Sequence, residues 1–189
     1  MKKTAVLIYE SFCNFEISVA LEILALNNKE IVVFAKTKEV IASEEGFKIL
    51  PDKIISEIDI DEYDSLLLPG AVDIEATVKD PEIIEFIKLF RNKLIGAISI
   101  GPILLLKAGI LNDKSFMAGV NKEELLEEGF LASDLTKMKD WDECIENHIE
   151  EGYIISENII TSVSYNFVKF GIQFAKMLGI EISSKSFGL

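Results

Sequence analysis

Short apolar runs alternate with segments of helical periodicity along nearly all of this 189-residue chain, and that alternation constrains the fold more than any other feature. Residues 5–9, 31–35, 66–68 and 94–98 read as buried strands, being continuously apolar and too short for a buried helix. Residues 15–26 place Ile17, Leu21 and Leu24 on one helical face, with Asn14 as the expected N-cap and Asn27-Asn28 as the stop. Pro81 opens another helix, which carries Ile84, Phe86, Ile87 and Phe90. Residues 40–55, with a Glu-Gly turn and Pro51, read as a small hairpin and connection. Further on, residues 115–120 are an expected strand and Asn121 the cap of a short acidic helix. Two strands, 153–155 and 159–161, flank the turn Ser156-Glu157-Asn158, and a last helix, 165–178, ends at Gly179. Such alternation predicts a mostly parallel sheet with helices on both faces, binding its ligands at the carboxyl ends of the strands.

The length fits one domain, residues 1–189, and 49% hydrophobic content supplies a sizeable core. No window approaches a membrane span, and Met1-Lys2-Lys3-Thr4 leads straight into a short strand-like run, so neither a membrane anchor nor a signal peptide is expected. Two cysteines, Cys13 and Cys144, do not make a disulfide framework, which points to a reducing cytoplasm. A net charge of −13 argues against nucleic acid and anionic membrane surfaces, since phosphates would be repelled. Arg91 is the single arginine, so bidentate clamps on phosphate or carboxylate are scarce. The acidic pairs Glu123-Glu124, Glu127-Glu128 and Glu150-Glu151 are assigned to solvated faces.

Between the strand at 94–98 and the apolar run 103–108 lies Ser99-Ile100-Gly101-Pro102. A small polar residue at a strand-to-helix junction sits on a sharp turn, its side chain pushed out at the strand's carboxyl end. That is nucleophile-elbow geometry, and Pro102 suits a first helical turn. On spacing alone the plainer alternative, a serine that merely caps the helix, leads.

Other segments bear on the choice. Asn14-Phe15-Glu16, Leu68-Pro69-Gly70-Ala71, the elbow from Ala97 to Pro102, Ala108-Gly109-Ile110-Leu111 and Ile160-Thr161-Ser162 occur in an order and spacing that resemble the ThiJ/PfpI family, of the class I glutamine-amidotransferase-like superfamily. The resemblance covers nearly the whole chain. It implies an α/β, flavodoxin-like three-layer sandwich, a homodimer, and a site where the elbow residue, Ser99, meets the first-helix Glu16. It also implies backbone donors for an anion or carbonyl oxygen at Gly70, Ala71 and Ile100. The departures are as informative. The family's elbow residue is a reactive Cys, and many members add a His at the place of Ile100 or approximately that of Gly119. The only histidine, His148, is read as a surface or interface residue, and Ser164-Tyr165-Asn166 stands where the family tends to be glycine-rich.

A cysteine at such an elbow is partly thiolate at neutral pH, whereas a serine hydroxyl stays protonated unless a base takes its proton. Glu16 is the only base the resemblance offers, and a carboxylate serves poorly unless desolvation raises its pKa well above the usual ~4.3. Cys13, three residues before Glu16, is read first as a small residue packing a loop, and second as a displaced nucleophile or redox-sensing thiol. Cys13 and Glu16 lack the partners of a zinc site, so no metal is expected, and no cofactor is implied. Two functions follow. One is the binding or sensing of a small carbonyl- or carboxylate-containing molecule without the family's cysteine chemistry. The alternative is a small-molecule hydrolase, hydratase or deglycase-like enzyme using Ser99 with Glu16.

Overall fold

The computed structural model describes residues 2–188. Its strands are β1 Lys3–Leu7, β2 Ile31–Ala35, β3 Ile41–Ala42, β4 Lys48–Ile49, β5 Lys53–Ile54, β6 Tyr63–Leu68, β7 Leu94–Ile98, β8 Phe116–Met117, β9 Met138–Lys139, β10 Ile154–Ser156 and β11 Ile159–Ser162. The helices are α1 Phe15–Leu26, α2 Glu75–Val78, α3 Pro81–Lys88, α4 Pro102–Lys107, α5 Lys122–Glu127, α6 Trp141–Glu146 and α7 Phe167–Met177.

Seven strands form the main sheet in the order β10-β11-β7-β6-β1-β2-β5. Only the edge strand β10 runs antiparallel to its neighbour. At the centre, Ala5 stands opposite Val32 on one side and Leu66 on the other, and Leu66 opposite Ile95. Leu66, Leu67 and Leu68 are fully buried, as a central parallel strand covered on both faces requires. The chain leaves β1 through α1 toward β2, and leaves β6 through α3 toward β7, in opposite directions along the sheet. Right-handed crossovers therefore put α1 and α3 on opposite faces, which makes an α/β three-layer sandwich. On the α1 side, α7 packs so closely that a Cβ on Gly171 would lie 2.7 Å from the Ala20 backbone nitrogen. Beneath it, a Cβ on Gly96 of β7 would lie 2.6 Å from the Phe174 ring.

Several local expectations change. Asn14 makes no side-chain cap; the Glu45 carboxylate, from the turn between β3 and β4, accepts the Phe15 amide at 2.8 Å and the Asn14 amide at 3.3 Å instead. Asn121 does not cap α5 either, because its amide exchanges hydrogen bonds with Asp142 at 3.1 and 3.2 Å. The expected strand at 115–120 shrinks to Phe116–Met117 and pairs with β9 outside the main sheet. Its continuation peels away to reach the elbow, where the Gly119 amide bonds to the Ser99 carbonyl. Residues 53–54, read as connection, become the sheet's other edge, parallel to β2. α2, α6 and β9 are too short to carry periodicity, although Asp140 before Trp141 is a legible cap and accepts the Glu143 amide at 2.9 Å.

Candidate functional site

The strands β2, β1, β6, β7 and β11 reproduce the flavodoxin-like 2-1-3-4-5 order, whose reversal falls between β1 and β6. Loops leaving adjacent strands on either side of such a reversal open a crevice at their carboxyl ends. Three loops meet there. The one after β1 delivers Glu16 in the first turn of α1, the one after β6 delivers Gly70, and the one after β7 delivers Ser99.

Ser99 has φ 61°, a left-handed conformation that costs a non-glycine residue about 1–2 kcal/mol. Its backbone is pinned on both sides: the amide donates to the Ser162 carbonyl at 2.9 Å, and the carbonyl accepts the Gly119 amide at 2.6 Å. Gly101, not Ser99, holds the N-cap position of α4, so the strained turn does not serve to cap the helix.

Glu16 is 2% exposed, and its Oε2 accepts the Gly70 amide at 2.6 Å. A Cβ on Gly70 would lie 2.7 Å from that oxygen and 2.7 Å from Ser99 Oγ, so the absence of a side chain at 70 keeps the space beside the two groups open. Burial pushes the Glu16 carboxyl up to about 7. The Gly70 amide and the Ser99 hydroxyl pull the other way, and the carboxylates of Glu44 and Glu45 add to the rise. Near neutral pH Glu16 is therefore divided between its acid and its carboxylate. Tyr9 lies beside it, its buried hydroxyl donating to the Pro69 carbonyl and pushed well above its ordinary value by burial and by Glu16.

The Cys13 thiol donates to Glu44 Oε2 at 2.7 Å, and burial followed by that bond raises its pKa far above a normal thiol. Cys144 is buried in a small cluster with Met117 and Val163, and its thiol is pushed up to about 11. Both are thiols at neutral pH. His148 is exposed and distant in the chain from the three loops.

The expected backbone donors divide. The Gly70 amide is spent on Glu16. Phe12 and Ala71 face each other as a bridge flanked by the bonds Cys13 N–H to Gly70 O and Val72 N–H to Ser11 O, so the Ala71 amide points away from Phe12. Neither the Ala71 nor the Ile100 amide has an acceptor among the described residues.

Ser99 opens onto a cavity of about 220 Å³ whose walls include Gly119, Val120, Glu124, Trp141 and Ser164. A larger depression, about 640 Å³, lies between Lys176 and Ser183, and none of its lining residues belongs to the three loops. No local pattern in the sequence links Glu124, Trp141 or Ser164 to the elbow, so sequence reasoning misses them as site residues. The single tryptophan is the one available signal. Among the described residues no group of three or more His, Cys, Asp or Glu is placed to hold a metal ion, and no helix is long and apolar enough to cross a membrane.

Known proteins resemble this chain in sequence or in fold. A protein of Methanocaldococcus jannaschii is 25% identical over 176 residues, 89% of this chain and 78% of its own. The glutathione-independent glyoxalase DJR-1.2 of Caenorhabditis elegans is 23% identical over 149 residues, 78% of this chain and 72% of its own. Among solved structures, a DJ-1 superfamily protein from Agrobacterium tumefaciens has the same fold, with a TM-score of 0.80 at 18% identity over 99% of this chain and 95% of that one. The DJ-1/PfpI family model matches residues 2–177, which takes in every element from β1 to α7 and all three loops around Ser99, and the chain belongs to that family.

Proposed function

We propose that this protein binds or senses a small carbonyl- or carboxylate-containing molecule beside Ser99, without the cysteine chemistry that its family resemblance implies for the elbow. The observation that carries this reading is the pairing at the elbow. A hydroxyl occupies the strained position and its neighbour is a buried carboxyl, while both thiols of the chain are committed elsewhere. A serine hydroxyl keeps its proton unless a strong base is poised on it, and no imidazole is at hand. The Ala71 and Ile100 amides supply donors for an oxygen of the ligand. Ser99, which lines the cavity, can donate or accept. The volume beside Ser99 suits a molecule of few heavy atoms, well below the roughly 300–1,000 Å³ of drug-sized pockets. A relative named as a glyoxalase supports a carbonyl compound as the ligand class.

One observation favours the enzymatic alternative, a hydrolase, hydratase or deglycase-like activity on Ser99. Burial makes Glu16 a better base than an ordinary carboxylate, and the Ser99 hydroxyl it would have to deprotonate is near enough to pull its pKa down. A serine-directed acylating probe followed by intact-protein mass spectrometry separates the two. No adduct is expected. A stable acyl group on Ser99, absent from Ser99→Ala, would establish the enzyme and overturn the binding reading. Two unpaired thiols fit a cytoplasmic setting, and a homodimer completes the proposal.

A further inference from the structure

Of the residues lining the cavity at Ser99, only Glu124 is charged. The nearest basic residue in the chain, Lys122, is drawn away, its ammonium 3.2 Å from Glu143 and 3.8 Å from Asp140. The loops behind Ser99 add Glu16, Glu44 and Glu45, whose mutual repulsion is felt at Glu16. Net charge is −13, so no remote excess of cations offsets this local field. The uncharged polar residues lining the space are Ser99, Ser164 and Asn121, and both ends of the Asn121 amide are already bonded to Asp142. Trp141 supplies an aromatic wall, and indole is the ring that best holds a cation. An anion entering this space would meet carboxylates and no compensating base, whereas an ammonium would find Glu124 and the indole.

We infer that the cavity selects its ligand by charge, taking a small carbonyl compound that also carries an amine and rejecting carboxylates, with Glu124 as the residue that sets the preference. This rests on the reading of the Ser99 cavity as a carbonyl site and narrows it to one half of that class. The carbonyl would face Ser99, and the ammonium would face Glu124 on α5.

Trp141 is the only tryptophan, so its fluorescence reports directly on the cavity. Titration of the whole protein at neutral pH with three ketones of nearly equal size, aminoacetone (cationic), hydroxyacetone (neutral) and pyruvate (anionic), is expected to give affinities in that order. Glu124→Gln should reduce the preference of aminoacetone over hydroxyacetone by about two- to fivefold, the scale of one partly solvated ion pair. Glu124→Lys should reverse the order of aminoacetone and pyruvate. Glu124 is exposed on a short helix, so these variants keep the fold, and circular dichroism verifies it. Hydroxyacetone binding with no preference for aminoacetone, or a preference untouched by either variant, would overturn the charge selection and leave the carbonyl site standing. Failure of all three ketones to perturb Trp141 would overturn both.

Discussion

At Glu16, desolvation outweighs two favourable hydrogen bonds, and the consequence is a dependence of stability on pH. The folded carboxyl titrates at about 7 against 4.5 for the unfolded chain, so between these values the folded state binds more protons. The contribution of Glu16 is therefore full below about pH 4.5 and is lost as the pH rises through 7. The loss is at most roughly 3–4 kcal/mol, since each pH unit between the two titration points is worth roughly 1.4 kcal/mol. Glu16→Gln keeps an oxygen for the Gly70 amide and removes the titration. It is expected to stabilise the protein at pH 8 by about 1–3 kcal/mol relative to its effect at pH 4. Denaturant unfolding at both pH values measures this, and an equal effect at both would show that the carboxyl is not perturbed. The residues at the elbow were legible because Ser99 follows an unmistakable strand and precedes proline. The size of the Glu16 perturbation was not, because it comes chiefly from burial that no local pattern records, with Glu44 and Glu45 in the β3–β4 turn adding to it.

Elements with strong local signals appear where the sequence puts them: α1, β2 and β7 begin and end at the expected residues. Misreadings cluster where the deciding partner is distant in the chain. Asn14 has the right residue type for a cap, but Glu45 reaches the first amides of α1 from the hairpin and displaces it. Residues 118–120 have strand character, yet the Gly119 amide bonds to Ser99 and the strand stops early. The hairpin thus helps to hold α1 where Glu16 must be. Although burial opposes it, bonds from Ser43, Phe15 and Asn14 keep the Glu45 carboxyl below its ordinary pKa, so the cap persists through neutral pH. Glu45→Ala is expected to cost about 1 kcal/mol at pH 7, lowering Tm by roughly 2–4 °C. Because its carboxylate also repels Glu16, the same variant should lower the Glu16 pKa. An unchanged Tm would show that Asn14 or water can replace the cap.

For the whole molecule, the alternation of strand and helix was enough to foresee the sandwich, and the order of five short motifs was enough to foresee the family. The walls of the cavity were not foreseeable, because Glu124, Trp141 and Ser164 follow three different strands, β8, β9 and β11, and converge only in the fold. Assembly is the other property at this scale. Phe15, Phe47 and Val72 are exposed on the first turn of α1, the hairpin and the loop after β6, which are bridged by Phe12. Covering such a surface favours a symmetric pair. Sedimentation at micromolar concentration is expected to give twice the chain mass of 21.1 kDa, and a monomer would count against the homodimer. We propose that Ser99 places a hydroxyl where the family resemblance implies a reactive thiol. The most direct test of this proposal is intact-protein mass spectrometry after mild peroxide treatment of wild type and Ser99→Cys. Both cysteines of wild type should remain unmodified, since Cys13 and Cys144 are held as thiols, and the variant should gain oxygen at residue 99, located by peptide mapping apart from any methionine sulfoxide. Oxidation of wild type at Cys13, or a Ser99→Cys variant as inert as wild type, would contradict it.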